Sequence, residues 1–356
     1  MHIAVSLTGE GSGHATRMSA LCRALRDRHD VSIWCPLHTR RFMEHRLSGC
    51  QFSELPWFQA VYHGNRVLLL TTVRANIGLY LRTGPLALAL AHDLQSRSVD
   101  GVVSDYEPFL SLAGLLAGRP VVQLNHQGVI DRHPALRFSW FVAWLTNRLM
   151  MPPATLRMIS SFYNGDVGPL LRQEIAGRRG ELASFVLVYA RNGFAEHILP
   201  VLNLFSGTEF RVFPSEQHDY AESLAACRGV IAPAGHQLTS EALHLGKPLL
   251  VFPQDSQYEQ ELNATMLERS GRGLRGRIEH AAADVGRFLQ LIPFFPLRRP
   301  AQGLILRLHD STDQAAARIE RVLLRAQERR RRPVGRCGPG RTARSGRQFS
   351  SPRVVA

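Results

Sequence analysis

In "LTGEGSGHATR", residues 7–17, glycines recur at 9, 11 and 13 and lead straight into His14, with Thr16 and Arg17 just inside a helical pattern. Glycines at a strand end permit positive φ and let a ligand come close to the backbone. A dinucleotide cradle would need G-x-G-x-x-G after the first strand and an acidic residue at the end of the second. Gly9 and Gly11 fit, but the third position is His14, and the second strand, "VSIWCP", ends in Cys35 and Pro36. That reading loses both of its discriminating residues. Two remain: a tight strand-to-helix turn with an incidental histidine, or a loop that presents backbone N–H groups and one imidazole to a ligand.

A second stretch weighs toward the ligand loop. "GVIAPAGHQLTSEALHLGKPLLVFPQDSQYEQELNA" sets a glycine turn after a strand, a helix from near His236, and Glu241 one turn further on. The free N–H groups and dipole of a helix N-terminus favour anions such as a diphosphate. A carboxylate there can accept hydrogen bonds from vicinal hydroxyls, as on a ribose. After "LLVFP", the residues Asp255, Gln257, Glu259, Gln260 and Asn263 offer donors and acceptors suited to a sugar ring. Taken alone, Glu241 could equally be an exposed helical carboxylate.

Such residues need a scaffold, and the sequence alternates strands with helices. "HIAVSL", a helix through Met18, Leu21, Cys22 and Leu25, and "VSIWC" form one βαβ unit, followed by "GVVSD", a helix through Leu116, and "PVVQLN". After the Pro- and Gly-containing break "FYNGDVGPLL" come "FVLVYA", "FRVF", "GVIAP" and "PLLVFP", with helices expected near 194–205, 219–227 and 237–245. Short apolar strands between helices imply parallel sheets covered on both faces. The expectation is two doubly wound, Rossmann-like α/β domains, 1–168 and 169–325, facing across a cleft. Ligands should bind beyond the carboxyl ends of the strands.

Composition narrows the classes. The formal net charge is +14, and +8 of it lies in residues 326–356, an Arg-, Gly-, Pro- and Ser-rich stretch expected to be a disordered basic tail. A specific nucleic-acid binder is not expected, because the excess charge is concentrated in that tail and no binding motif accompanies it. Five scattered cysteines without CxxC spacing suggest neither a disulfide framework nor a zinc site. No secretory signal or membrane span is visible, and a cytoplasmic protein is expected.

Through "GEGSGHATR", "VVSDYEP", "FYNGDVGPLLR" and the long segment around Glu241, the chain resembles the GT-B glycosyltransferases over residues 1 to roughly 325. It is most similar to a bacterial and archaeal group, and more distantly to the peptidoglycan GlcNAc transferase and plant secondary-product glycosyltransferases. The resemblance implies an inverting hexosyltransferase. His14 matches the general base and Asp105 the aspartate that pairs with it. Glu241 matches the ribose-binding glutamate, and Glu259 with Gln260 the pair that holds the donor sugar. Gly235 and the N–H groups of His236 and Gln237 would meet the diphosphate, along with Gly11 and Gly13. Arg191 and Asn192 are candidate phosphate contacts, although "YARNGF" stands where relatives have a glycine-rich loop. Pro233 likewise stands where plant relatives carry a diphosphate-binding histidine. Independent of the resemblance, Asp105 could simply cap the helix that follows it.

By the same resemblance, the reaction implied is transfer of GlcNAc or a hexose from a UDP-sugar to an acceptor hydroxyl. No metal is expected, since "SDYEP" lacks D-x-D spacing, and no cofactor. The acceptor is expected on the first domain and could belong to a lipid or cell-envelope glycan. "LRFSWFVAWLTNRLMM" is expected as a buried helix, the commoner fate of such a run. The other reading makes 137–151, together with the basic tail, a peripheral contact with the inner face of the membrane. Two rival functions share the fold: a sugar-nucleotide epimerase, and a non-catalytic sugar-nucleotide-binding subunit.

Overall fold

The structure is a computed structural model that describes residues 1–331 apart from 64, 65, 182 and 192. In chain order, the first domain contains β1 (His2–Leu7), α1 (Gly11–Arg26), β2 (Asp30–Cys35), α2 (Leu37–Arg46), β3 (Gln51–Glu54), β4 (Tyr62–His63), β5 (Arg66–Val67) and α3 (Leu69–Ser96). It continues with β6 (Gly101–Asp105), α4 (Pro108–Leu116), β7 (Val121–Asn125), α5 (Val129–Arg132), α6 (Phe138–Met150) and β8 (Leu156–Ile159). Six of the strands form one parallel sheet in the order β3-β2-β1-β6-β7-β8, and β4 and β5 pair separately. The order reverses between β1 and β6, where ligands of doubly wound sheets bind. Leu7 pairs with Asp105 at that point, so the loop after β1 and the end of β6 are neighbours by register.

The second domain holds α7 (Gln173–Ala176), β9 (Val186–Tyr189), α8 (Gly193–Leu202), β10 (Phe210–Phe213), α9 (Tyr220–Ala226), β11 (Gly229–Pro233), α10 (His236–His244), β12 (Leu249–Phe252), α11 (Tyr258–Arg269), β13 (Gly273–Arg275) and α12 (Ala281–Leu291). Its parallel sheet runs β10-β9-β11-β12-β13, with the reversal between β9 and β11. The helices and strands expected from the sequence are present. Edge strands β3, β8 and β13 escape the sequence reading because each is short and only partly apolar.

Three expectations need correction. The last helix, α13 (Thr312–Arg331), packs Ala315, Ala316, Ile319 and Leu323 into the core of the first domain, so this segment does not belong with the second. Leu323 fills the space beside Gly101, where any Cβ would lie 2.6 Å from it. α13 also continues through residues 326–331, which were expected to be disordered; "AQERRR" consists of strong helix formers with cations at the carboxyl end. Residues 332–356 lie outside the described residues. Finally, α6 is not a buried helix. Of its thirteen residues only Asn147 and Met150 are buried, because α6 lies over the surface of the domain with its Trp140 and Trp144 face inward.

Two chain crossings join the domains and lie side by side. Leu171 N–H donates to Asp310 Oδ1 at 2.9 Å, and Gly168 N–H to Ser311 Oγ at 3.1 Å. Gly168 is required here, since a Cβ would fall 2.6 Å from that hydroxyl.

Candidate active site

Gly11 opens α1 with φ +69°, a conformation that glycine adopts without strain, and the first helical turn then carries His14 to the carboxyl end of β1. Asp105, fully buried at the end of β6, lies opposite. His14 Nδ1 is 3.0 Å from Asp105 Oδ2. Arg17, one turn along α1, grips the same carboxylate with a fork: Nε to Oδ2 and Nη2 to Oδ1, both 2.6 Å. Burial alone would raise the Asp105 carboxyl, but Arg17 and His14 outweigh it and hold the group below the ordinary carboxylate range.

The fork constrains the imidazole. A guanidinium only donates, so Arg17 Nη2, 2.7 Å from His14 Nδ1, favours the tautomer with hydrogen on Nε2. Asp105 only accepts and favours hydrogen on Nδ1, leaving the Nε2 lone pair free to take a proton. The Gln127 amide nitrogen, 3.4 Å from Nε2, sides with Asp105. Tyr106, held at φ +53°, stacks on the His14 ring at 6.2 Å and donates its hydroxyl to Asn147 of α6 at 3.0 Å. A left-handed backbone is costly for a bulky residue and is often found at functional sites.

Asp105 is not the helix cap. Glu107 caps α4, with its carboxylate accepting from the N–H groups of Phe109 and Leu110, and burial pushes it up to about 7.

Across the cleft, α10 begins at Gly235 with its N-terminus toward α1. A Cβ on Gly13 would lie 3.4 Å from Gln237 Cβ, whereas Gly11 and Gly235 border open space. His236 and Gln237, the first residues of α10, are buried, yet His236 Nδ1 and Gln237 Oε1 have no hydrogen-bond partner among the described residues. His236 stacks on His126 with ring centroids 3.7 Å apart. Burial pushes both rings below the ordinary histidine range, and they favour the neutral form. The Nε2 of His126 donates to Asn263 Oδ1 at 2.8 Å; the same oxygen accepts from Tyr163 at 2.9 Å, while Asn263 Nδ2 donates to the Ala234 carbonyl.

Glu241 is fully buried, with both oxygens engaged. Arg172 Nε and Gln237 Nε2 donate to Oε1 at 2.9 and 3.0 Å, and the Tyr220 hydroxyl to Oε2 at 3.0 Å. A ribose could reach this carboxylate only by displacing one of these donors. Glu259 stands 3.9 Å from His126 Nε2. Gln260 braces the loop after β12 through Gln254 and Gln257. Arg191 is exposed and lies over the Tyr189 ring, and Asn192 lies outside the described residues.

The structure therefore joins His14 to Asp105 directly and brings Gly13 beside Gln237. Arg191 has no contact with this group among the described residues. Sequence reasoning missed Arg17, Tyr106, His126, Arg172 and Tyr220 as site residues. For His126 a signal existed: a histidine directly after the strand "PVVQLN", at its carboxyl end.

The family profile described as glycosyl transferase family 1 matches residues 1–223 and, overlapping them, 208–293. An uncharacterized glycosyltransferase of Methanosarcina mazei is 25% identical over 326 residues, covering 77% of this chain and 85% of that protein. One from Methanosarcina acetivorans is 25% identical over 329 residues, with the same coverage. Among solved structures, MurG of Acinetobacter baumannii superposes with a TM-score of 0.58 at 13% identity, covering 90% of this chain and 99% of that one. LpCGTa in complex with UDP gives 0.59 at 15% identity, also over 90% and 99%. At such identities these neighbours speak for the fold alone, which is GT-B. With the profile covering most of its length, the chain belongs to glycosyl transferase family 1 and is a glycosyltransferase.

Proposed function

We propose that the protein moves a sugar from a UDP-sugar to an acceptor hydroxyl, with inversion at the anomeric carbon and without a metal ion or cofactor. The observation that carries this reading is the His14–Asp105 pair, 3.0 Å apart at the sheet's reversal point and facing the N-terminus of α10. The N–H groups of His236 and Gln237 receive the diphosphate, and the open space beside Gly11 and Gly235 admits it. The acceptor oxygen forms the new bond to the anomeric carbon as the bond to the diphosphate breaks, and the leaving group keeps the electron pair. The acceptor proton passes to His14 Nε2, while Asp105 accepts from Nδ1–H and stabilises the imidazolium. The helix dipole and N–H groups offset the charge that develops on the leaving diphosphate. Glu241 turns to the ribose once Tyr220 or Arg172 releases it. A hydroxyl on a lipid or cell-envelope glycan suits the apolar helices near Tyr106.

The test is a thermal-shift screen against UDP, GDP, dTDP and their sugars, followed by NMR of the slow hydrolysis of whichever sugar nucleotide stabilises the chain. Stabilisation by a UDP-sugar, and first release of the anomer opposite to that of the donor, is expected. Release of an epimerised sugar would favour the epimerase, and retention of configuration would refute the single displacement.

A further inference from the structure

Helices α3 and α6 each bury one face and leave the other bare. On α3 the bare face carries Leu70, Val73, Ile77, Leu81 and Leu88, which are 56–83% exposed. Steps of three and four residues, then seven, keep these side chains within about 80° of arc along about 27 Å of helix. On α6, Phe138, Phe141, Leu145 and Leu149 repeat that spacing at 45–73% exposure. Stripes of this kind are uncommon on soluble surfaces and mark places of contact.

Their location ties them to the cleft. Tyr106, stacked on His14, donates to Asn147 of α6, and its phenol lies within electrostatic reach of Tyr80 on α3. Both helices therefore lie near the residue stacked on His14, which bonds to the buried face of α6. Charge adds a second observation. Residues 55–92 and 132–165, which contain α6 and all of α3 except its last four residues, include seven arginines and no aspartate or glutamate; Asp93, in the last turn of α3, pairs with Arg97. Arg74, Arg82, Arg137 and Arg148 among them are exposed. The salt bridges of Arg137 to Glu261 and Arg148 to Asp131, at 3.3 and 3.8 Å, lie at the surface, where solvent screens them.

We propose that the bare faces of α3 and α6 together form a docking surface for an anionic lipid bilayer, on which the protein rests with the His14 mouth toward the headgroups. Apolar stripes accompanied by an excess of arginine over carboxylate are what an interfacial helix pair requires. Neither helix crosses: among the described residues no helix is long and apolar enough to span a membrane. A second copy of the chain is a poorer occupant, because a two-fold contact would set arginine against arginine. The use of the surface, presenting a lipid-borne hydroxyl to His14, rests on the transferase reading. The surface itself does not.

The experiment is flotation of the full chain with vesicles of phosphatidylcholine alone or mixed with phosphatidylglycerol. The variants are I77E/L81E on α3, F141E/L145E on α6, and a chain lacking residues 332–356. Wild type should float with the anionic vesicles, either glutamate pair should weaken partition at least about tenfold, and removal of the tail should leave partition intact. The proposal is overturned if wild type does not float or both glutamate pairs bind as wild type does. It is also overturned if only tail removal abolishes binding, or if the glutamate pairs break a dimer seen by light scattering and leave vesicles unbound. Nucleotide-induced thermal stabilisation of the same proteins separates the two readings. Its persistence without vesicle binding refutes the surface alone, and its absence with vesicle binding intact refutes the donor cleft alone.

Discussion

Replacing Arg17 by glutamine should reveal how the His14–Asp105 pair is held. Asp105 is 0% and Arg17 3% exposed, and two 2.6 Å bonds join them. Removing one partner of a buried ion pair leaves an uncompensated charge and costs about 3–5 kcal/mol. His14 remains 3.0 Å away and can offset part of that loss, so the lower figure, about 3 kcal/mol, is expected. For a domain of this size it corresponds to a fall in Tm of about 6–12 °C. The double variant R17Q/D105N buries no charge and should recover most of the loss, giving a coupling energy of a few kcal/mol in a double-mutant cycle. The pH dependence has a defined sign. Because the Asp105 carboxyl is held below its ordinary 3.8, its contribution is fully present above that pH and is lost as pH falls through the lowered value. The Tm gap between wild type and R17Q should therefore narrow on acidification through the carboxylate range. A loss under about 1 kcal/mol, or no recovery in R17Q/D105N, would show that the fork does not hold the aspartate in the way its geometry indicates.

Replacing His14 by glutamine should leave nucleotide-sugar stabilisation within error of wild type while transfer, or slow donor hydrolysis, falls about 10²- to 10⁴-fold. Normal turnover would remove the base assignment. Glu241→Gln keeps the shape but loses the charge opposite Arg172 and should lower both Tm and nucleotide-dependent stabilisation; a fall in Tm with full stabilisation by ligand would make Glu241 purely structural. His126 and His236 are buried and held below the ordinary histidine range, so the unfolded chain binds protons that the folded chain refuses. Stability should fall as pH drops below about 6.5, by about 1.4 kcal/mol per pH unit for each ring while it stays neutral. A melting series for wild type and His236→Phe checks this, and equal slopes would show that His236 adds nothing to the dependence.

The sequence made the repeating scaffold plain, because most of the parallel strands, the edge strands β3, β8 and β13 excepted, are short, largely apolar runs whose polar loop must open at the carboxyl end. His14, Asp105 and Glu241 stand out since each is a reactive side chain directly after such a run or one turn into the next helix. Arg17 was visible in the motif without a role, since the partner that gives it one lies 88 residues away and meets it only through the β1–β6 register. Arg172 and Tyr220 are unremarkable in the linear chain for the same reason, and both are defined by Glu241. The fate of α6 was misjudged because hydrophobic periodicity reports that one face is apolar and says nothing of what covers it. α13 was assigned to the wrong domain because an amphipathic helix carries no mark of which sheet it returns to.

These long-range contacts also tie the proposed base to the proposed donor site. His14 belongs to the first domain and α10 to the second, so their separation depends on whatever fixes the domains against each other. The paired crossings at 168–171 and 310–311 set an axis but leave rotation about it open. Besides contacts of α11 such as the Tyr258 hydroxyl donating to the His133 carbonyl at 2.8 Å, three contacts across the cleft bear on α10: His126 stacked on His236, His126 bonded to Asn263, and Gln237 donating to the Leu170 carbonyl at 3.1 Å. Each of these includes a residue of α10, or Asn263, which is itself tied to the Ala234 carbonyl just before α10. An anion that engages the N-terminus of α10 thus acts on side chains that help to fix its distance from His14. On the proposed reading, donor binding and the alignment of His14 are coupled through the first turn of α10.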